Sequence, residues 1–109
     1  SCGVCHRWSE DEVKARVESI QDTTWELLQN AEKALTAAHN EVGAAQKAGA
    51  SDADLKPARE LLRRAQLRWD YVAAGNGMGF HAPQECARVL ATAIDLAQQA
   101  RLEVAKWQK

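Results

Sequence analysis

Apolar residues recur at alternating steps of three and four residues through the first half of the chain. This spacing is close to that of a coiled-coil seam and predicts one helix over residues 10–48. At ~1.5 Å per residue such a helix is about 58 Å long, which exceeds the depth of a small core, so it needs a partner helix. The positions of the seam are Val13, Val17, Ile20, Thr24, Leu27, Ala31, Leu35, Ala38, Val42 and Ala45.

Capping signals divide the chain into three helices. Ser9 followed by Glu12 has the pattern of a capping box and opens the first helix, which Gly49 ends. A second helix is predicted over residues 52–75 after Ser51, and a third over residues 83–106 with Pro83 in its first turn. The predicted fold is all-α: one very long helix, a hairpin return to a second helix, a glycine-rich loop and a third long helix.

Length and charge exclude several classes of protein. The chain has 109 residues with 14 basic and 15 acidic side chains, a net charge of −1. One modest domain fits this length, and nucleic-acid binding is not expected without a basic excess. No apolar run approaches the ~20 residues that a membrane-spanning helix needs.

The first residues carry the strongest chemical signal. Cys2-Gly3-Val4-Cys5-His6 is C-x-x-C-H, the attachment motif of c-type haem. The two thiols can each add to a haem vinyl group, and the imidazole of His6 can bind the iron as proximal ligand. We therefore divide the chain into a haem-attachment segment, residues 1–8, and a helical domain, residues 9–109.

Three other interpretations of the two cysteines stay open. A thioredoxin-like redox pair needs a β-α-β context, and nothing in the sequence reads as strand. A zinc site needs two more ligands, and His39, His81 and Cys86 stand at no recognised spacing. A surface disulfide between Cys2 and Cys5 is the third alternative. We expect Cys86 and His39 to be packed or surface residues and not ligands.

The position of the motif suggests a longer parent protein. It begins at the second residue, and no signal peptide precedes it although covalent haem attachment normally requires export. We therefore expect a piece of an exported protein, located in the periplasm.

Two later segments resemble a known family. Gln66-Leu67-Arg68-Trp69-Asp70-Tyr71 and Gly79-Phe80-His81-Ala82-Pro83-Gln84-Glu85 resemble the C-terminal region of the ammonia-forming (pentahaem) cytochrome c nitrite reductases. The order of a last C-x-x-C-H, a long helix, a hairpin turn and a final alanine-rich helix is also similar, and the resemblance covers essentially the whole chain.

The resemblance to this family also implies a function for the chain. It implies a C-terminal fragment that passes electrons through a haem c toward a catalytic haem elsewhere, with an upstream haem domain and a homodimer formed by the long helices. The catalytic C-x-x-C-K haem and the calcium ligands of that family are missing from this sequence, so we expect neither nitrite reduction nor calcium binding by the chain alone. The alternatives are a haem-free dimerisation module and a fragment of a multihaem enzyme related to hydroxylamine oxidoreductase.

The resemblance also assigns a second haem ligand. It implies that His81 is a distal ligand of a neighbouring haem, so that His6 and His81 would serve different haems. The sixth position of the haem on Cys2 and Cys5 would then be open in this chain, or be taken by water, His81, His39 or Met78.

Overall fold

The computed structural model describes residues 9–75 and 83–108, which form three α-helices. These are α1, Glu10–Lys47; α2, Asp52–Ala74; and α3, Pro83–Gln108. No strand occurs within these two ranges. The all-α prediction with a long first helix, a hairpin return and a third long helix is confirmed. The molecule is elongated, measuring 66 × 19 × 16 Å, because the 38-residue α1 sets its length.

The hairpin between α1 and α2 is closed by a glycine in a left-handed conformation. The N–H of Gly49 donates to the carbonyl of Gln46 at 3.1 Å, and the N–H of Ala50 donates to that of Ala45 at 3.0 Å. These are the two bonds of a Schellman motif, which needs a positive φ at the residue after the cap. Gly49 supplies a φ of 110°. The chain can therefore reverse within four residues.

α2 begins with a complete capping box. The N–H of Asp54 donates to the Ser51 hydroxyl oxygen at 3.1 Å, and the N–H of Ser51 donates to the Asp54 carboxylate at 3.0 Å. Two donors at the helix start are thereby satisfied. At the start of α1 the N–H of Glu12 donates to the Ser9 hydroxyl oxygen at 3.2 Å, which is one of the two bonds predicted there.

α2 runs back along α1, and α3 packs against both, with its most extensive contact on α2. The larger of two hydrophobic clusters, the main cluster, fills the space near the hairpin. It is built mostly from alanine, with the larger side chains Leu35, Leu55, Leu62, Leu96 and Val104 between them. Small side chains allow the three helix axes to approach closely.

The buried stripe of α1 is wider and shorter than the predicted seam. Burial begins at Thr24, and it includes Leu28 and Ala34 beside the predicted positions. Both α2 and α3 pack against α1, so α1 needs a broader apolar face than the narrow seam of a two-stranded coiled coil. Val13 and Val17, in the first turns, are only half-buried.

Candidate functional site

The predicted haem residues lie outside the described part of the chain. Cys2, Cys5 and His6 fall in residues 1–8, and His81, like Met78, falls in residues 76–82. The structure therefore tests none of these assignments directly. It does describe the elements from which both segments emerge, namely the start of α1, the end of α2 and the start of α3.

The start of α1 follows the C-x-x-C-H motif after two residues. Ser9 caps the helix in an extended conformation, and its carbonyl accepts from the N–H of Val13 at 2.9 Å. Glu10 and Asp11 place negative charge in the first turn, where the helix dipole favours it. The haem motif thus stands two residues before the cap of α1 in the sequence.

The smaller hydrophobic cluster lies where α2 ends and α3 begins. We call it the end cluster; its buried members are Leu28, Ala31, Val72 and Leu90. Half-buried side chains pack around it, Trp69 and Cys86 among them. The end cluster draws on both helices that border residues 76–82, so it holds the end of α2 and the start of α3 against α1.

Trp69 connects this end of the molecule to α1. Its indole N–H donates to the backbone carbonyl of Leu28 at 2.9 Å, across 41 residues of sequence. Trp69 also packs against both hydrophobic clusters, a position it shares with Ile94. In the sequence, Trp69 stands within the Gln66–Tyr71 segment. The hydrogen bond was not predicted, because no local pattern signals a contact with a distant carbonyl.

Cys86 is a packed residue, as predicted. It is a free cysteine, half-buried against the end cluster. Within residues 9–75 and 83–108, no three His, Cys, Asp or Glu side chains come together as a metal site. The zinc alternative therefore gains no ligand set from the described residues.

His39 lies on the exposed surface between α1 and α2. Its Nε2 is 3.2 Å from Oε1 of Gln66, and Nε2 of Gln66 donates to the Asp70 carboxylate at 3.0 Å. Since Gln66 Oε1 can only accept, His39 Nε2 carries the proton in this arrangement. His39 stands 30 residues beyond Ser9, about 45 Å along the helix, so it is too far away to bind a haem attached at Cys5.

The hairpin end of the bundle carries charge interactions at Asp54 and at Arg101. The Ser51 N–H and then its hydroxyl hold the pKa of Asp54 below its ordinary value. Burial opposes them, and a weaker hydrogen bond to Trp107 lowers the pKa further. Arg101 contacts Glu41 at 2.9 Å across the α1–α3 interface, and this bond raises the pKa of Arg101. Sixty residues separate that pair. The Arg101–Glu41 pair therefore helps to hold α1 and α3 together.

None of the helices in the described ranges is both long and apolar enough to cross a membrane. This agrees with the sequence, in which no apolar run approaches the ~20 residues that a membrane-spanning helix needs.

The chain is similar over its whole length to known cytochromes. The cytochrome c552 family matches residues 1–109. Cytochrome c-552 of Porphyromonas gingivalis is 39% identical over 106 residues, which are 97% of this chain and 21% of that protein. The Bacteroides fragilis protein of the same name is 42% identical, covering 97% and 22% of the two chains. Cytochrome c-552 of Desulfotalea psychrophila is 41% identical over 105 residues, which are 96% of this chain and 21% of that protein.

The chain thus spans about a fifth of the length of the curated relatives it matches. The family implies a covalently bound haem c, which confirms the predicted cofactor, and it supports the classification as a cytochrome c of electron transport. The donor set of the C-x-x-C-H motif fits this cofactor, because it supplies two thiols for the vinyl groups and an imidazole for the iron.

The sequence-based assignment to the ammonia-forming cytochrome c nitrite reductases is corrected by these matches. The matched family is cytochrome c552, and the names of the relatives are cytochrome c-552. The prediction of a nitrite reductase fragment is therefore wrong, and so is the alternative of a fragment related to hydroxylamine oxidoreductase. The physical reason is that the quoted motifs specify haem attachment and helical architecture, and no residue that would act on nitrite was among them.

A C-x-x-C-H motif joined to a capped helix, an all-α fold and a match over every residue lead to one conclusion. The chain belongs to the cytochrome c552 family.

Proposed function

We propose that this chain carries electrons through one haem c held by its N-terminal segment. Cys2 and Cys5 would form the two thioether bonds, and His6 would be the proximal ligand. The observation that carries the proposal is the C-x-x-C-H motif at residues 2–6 of a chain that matches the cytochrome c552 family from residue 1 to residue 109.

The residues of the chain have separate tasks in this function. The thiols of Cys2 and Cys5 anchor the ring by addition to its vinyl groups, and the His6 imidazole donates a nitrogen lone pair to the iron. The bound haem supplies reversible one-electron chemistry, while the protein supplies attachment and orientation. Ser9 and the first turn of α1 would transmit the position of the motif to the helical bundle.

The second axial ligand remains a proposal. We propose that the sixth position of this haem is open or held by water in the chain alone. His81 and Met78 are the residues that could take it by rearrangement, and His81 would otherwise serve a neighbouring haem. A methionine ligand would raise the reduction potential relative to a second histidine, so the potential distinguishes the two.

We also propose that the protein is located in the periplasm. A chain that carries covalent haem is normally completed after export. Localisation of the full-length natural protein by cell fractionation tests this.

Haem attachment is tested by exchanging single cysteines. We expect the exported wild-type protein to gain the mass of one haem and to give a covalent haemochrome spectrum with pyridine. Cys5→Ser should lose one thioether bond and shift that spectrum, because only one vinyl group is then saturated. Cys86→Ser is the matched control, since Cys86 packs against the end cluster and should leave the spectrum unchanged.

A wild-type protein that keeps free thiols at Cys2 and Cys5 after export would contradict the proposal. A spectral shift in Cys86→Ser equal to that in Cys5→Ser would also contradict it, because the attachment would then involve the wrong cysteine.

We also propose that α1 pairs with α1 of a second copy. The observation that favours this is the length of α1, whose first fourteen residues precede the first buried position, Thr24. Val13, Val17 and Ile20 continue the apolar face through that region and are half-buried. A helix with such a face is stabilised by a partner helix. Sedimentation equilibrium of the haem-loaded protein tests the pairing, and a monomer at high concentration would contradict it.

A further inference from the structure

The outer face of α2 exposes two large apolar side chains next to each other. Leu67 is 58% exposed and Tyr71 is 65% exposed. Residues four apart on a helix lie on the same side, so their side chains form one continuous patch. We call this patch, together with Arg63 and Arg64 one turn before it, the α2 outer face.

The pairing of Leu67 with Tyr71 distinguishes this face from the rest of the described surface. Trp25 and Leu102 are the other large apolar residues that are strongly exposed in the described ranges, at 53% and 64%. Leu102 stands alone on α3, and single exposed apolar residues are normal in proteins. Adjacent ones rimmed by charge mark interaction sites more often.

The arginines of the α2 outer face are available to a partner. Within the described part of the chain, the side chains of Arg63 and Arg64 have no hydrogen bond and no ion pair. Arg59, by contrast, is paired with Asp52 at 3.0 Å. Exposed arginine beside tyrosine and leucine is the composition of protein interfaces, where arginine and tyrosine are enriched.

A groove runs beside this face between α1 and α2. Its volume is about 330 Å³, and Val42 and Leu62 supply apolar side chains to it. Arg63, Leu67 and His39 also line it. The groove continues the patch toward α1, so a partner seated on Leu67 would also reach the groove.

We propose that the α2 outer face docks polypeptide equivalent to the part of the longer cytochrome c-552 relatives that this chain does not match. That part is nearly four-fifths of each relative, since the matched region is 21–22% of them. It would place apolar groups over Leu67 and Tyr71 and acidic groups opposite Arg63 and Arg64. The inference goes beyond the proposed electron transfer and does not require the haem.

The size of the relatives supports this choice of partner. Domains of one chain form interfaces with each other that bury roughly 600–1,500 Å². The α2 outer face is the part of the described surface where adjacent apolar side chains and unpaired arginines occur together. Docking there would remove the exposed side chains of Leu67 and Tyr71 from water.

A chimera tests the proposal. The matched region of the Bacteroides fragilis relative is replaced by this 109-residue chain, and both the chimera and the chain alone are oxidised briefly with hydroxyl radicals. We expect oxidation of Leu67 and Tyr71 to fall by about fivefold in the chimera, in line with an interface core that excludes water. Oxidation of Leu102 should be unchanged, because it lies on the opposite side of α3 from the core and outside the patch.

Matched substitutions add a second measurement. Leu67→Asp should destabilise the chimera and leave the thermal midpoint of the chain alone nearly unchanged, whereas Leu102→Asp should affect neither. Equal oxidation of Leu67 and Tyr71 in both proteins would overturn the proposal. So would a chimera that fails to fold while the natural relative folds in the same host, since chains 42% identical should fit the same partner surface.

A second copy of the chain is the competing occupant. If Leu67 and Tyr71 of the chain alone are protected at high concentration and lose that protection on dilution, the face is a dimer contact and the proposal is wrong. Haem content is read from the spectrum of each sample, so failure of haem attachment and failure of docking are separate results.

Discussion

Replacing Gly43 in α1 and Gly49 in the following hairpin by alanine should change the free energy of unfolding in opposite directions. Gly43 lies in the helix interior, and a Cβ built on it meets nothing within 4 Å. Alanine there restricts the unfolded chain and adds no clash, so Gly43→Ala should stabilise the protein by about 0.5–1 kcal/mol. Gly49 also has open space around a built Cβ, but its φ is 110°. Gly49→Ala should therefore destabilise the protein by about 1–2 kcal/mol through backbone strain alone.

The assay is thermal unfolding of both variants and the wild type, followed by circular dichroism. For a domain of this size, 1 kcal/mol shifts the midpoint by about 4–8 °C, so the two variants should differ by at least about 6 °C. Haem loading must be equal in all samples, because a bound group that prefers the native state adds its own stability. The two substitutions add the same methyl group in equally open positions, so only backbone conformation distinguishes them.

A destabilised Gly43→Ala variant would refute this reasoning. It would mean that something outside the chain approaches the backbone at Gly43, which the proposed pairing of α1 with a second copy could cause. In that case the effect should grow with protein concentration. A neutral Gly49→Ala variant would show that the hairpin does not depend on a left-handed residue.

Two further results are expected. Trp69→Phe keeps an aromatic ring against both clusters but loses the 2.9 Å bond to the Leu28 carbonyl, so unfolding in urea should show a loss of about 1 kcal/mol at an unchanged slope; a loss below a few tenths would show that the bond contributes nothing net. The pKa of Asp54 is lowered in the folded state, chiefly by the Ser51 N–H. The carboxylate therefore contributes to the free energy of unfolding above its unfolded pKa near 3.8, and this contribution is lost as the pH falls through the lowered pKa of the folded state. Asp54→Asn should flatten the dependence of the thermal midpoint on pH below about 4, and an unchanged dependence would refute that assignment.

Local patterns predicted the helices well because their causes are local. The start at Ser9, the reversal at Gly49 and the start at Ser51 each depend on hydrogen bonds between residues three to five apart. The apolar stripe of α3 likewise follows from its own spacing. The helices observed, 10–47, 52–74 and 83–108, differ from the predicted ranges only at their ends, where the last turn has the weakest sequence signal.

The family assignment shows a different limit of sequence reasoning. The motif that carries the cofactor is five residues long and specific, and the haem c prediction is confirmed. The more distant similarity of residues 66–71 and 79–85 was assigned to nitrite reductases, and the matched family is cytochrome c552. Residues that maintain a helical haem protein do not by themselves identify a substrate.

Sequence alone determined that this chain is helical, where it turns and that it binds haem c, because propensity, capping and the C-x-x-C-H motif act over a few residues. Only the tertiary structure decided how wide the buried face of α1 is and that it begins at Thr24, since both depend on how α2 and α3 pack against α1. The tertiary structure also decided two contacts between distant residues. Trp69 bonds to Leu28 across 41 residues, and Arg101 pairs with Glu41 across 60 residues. Contacts of that range depend on how the helices pack, and the spacing of residues along one helix does not specify its neighbours.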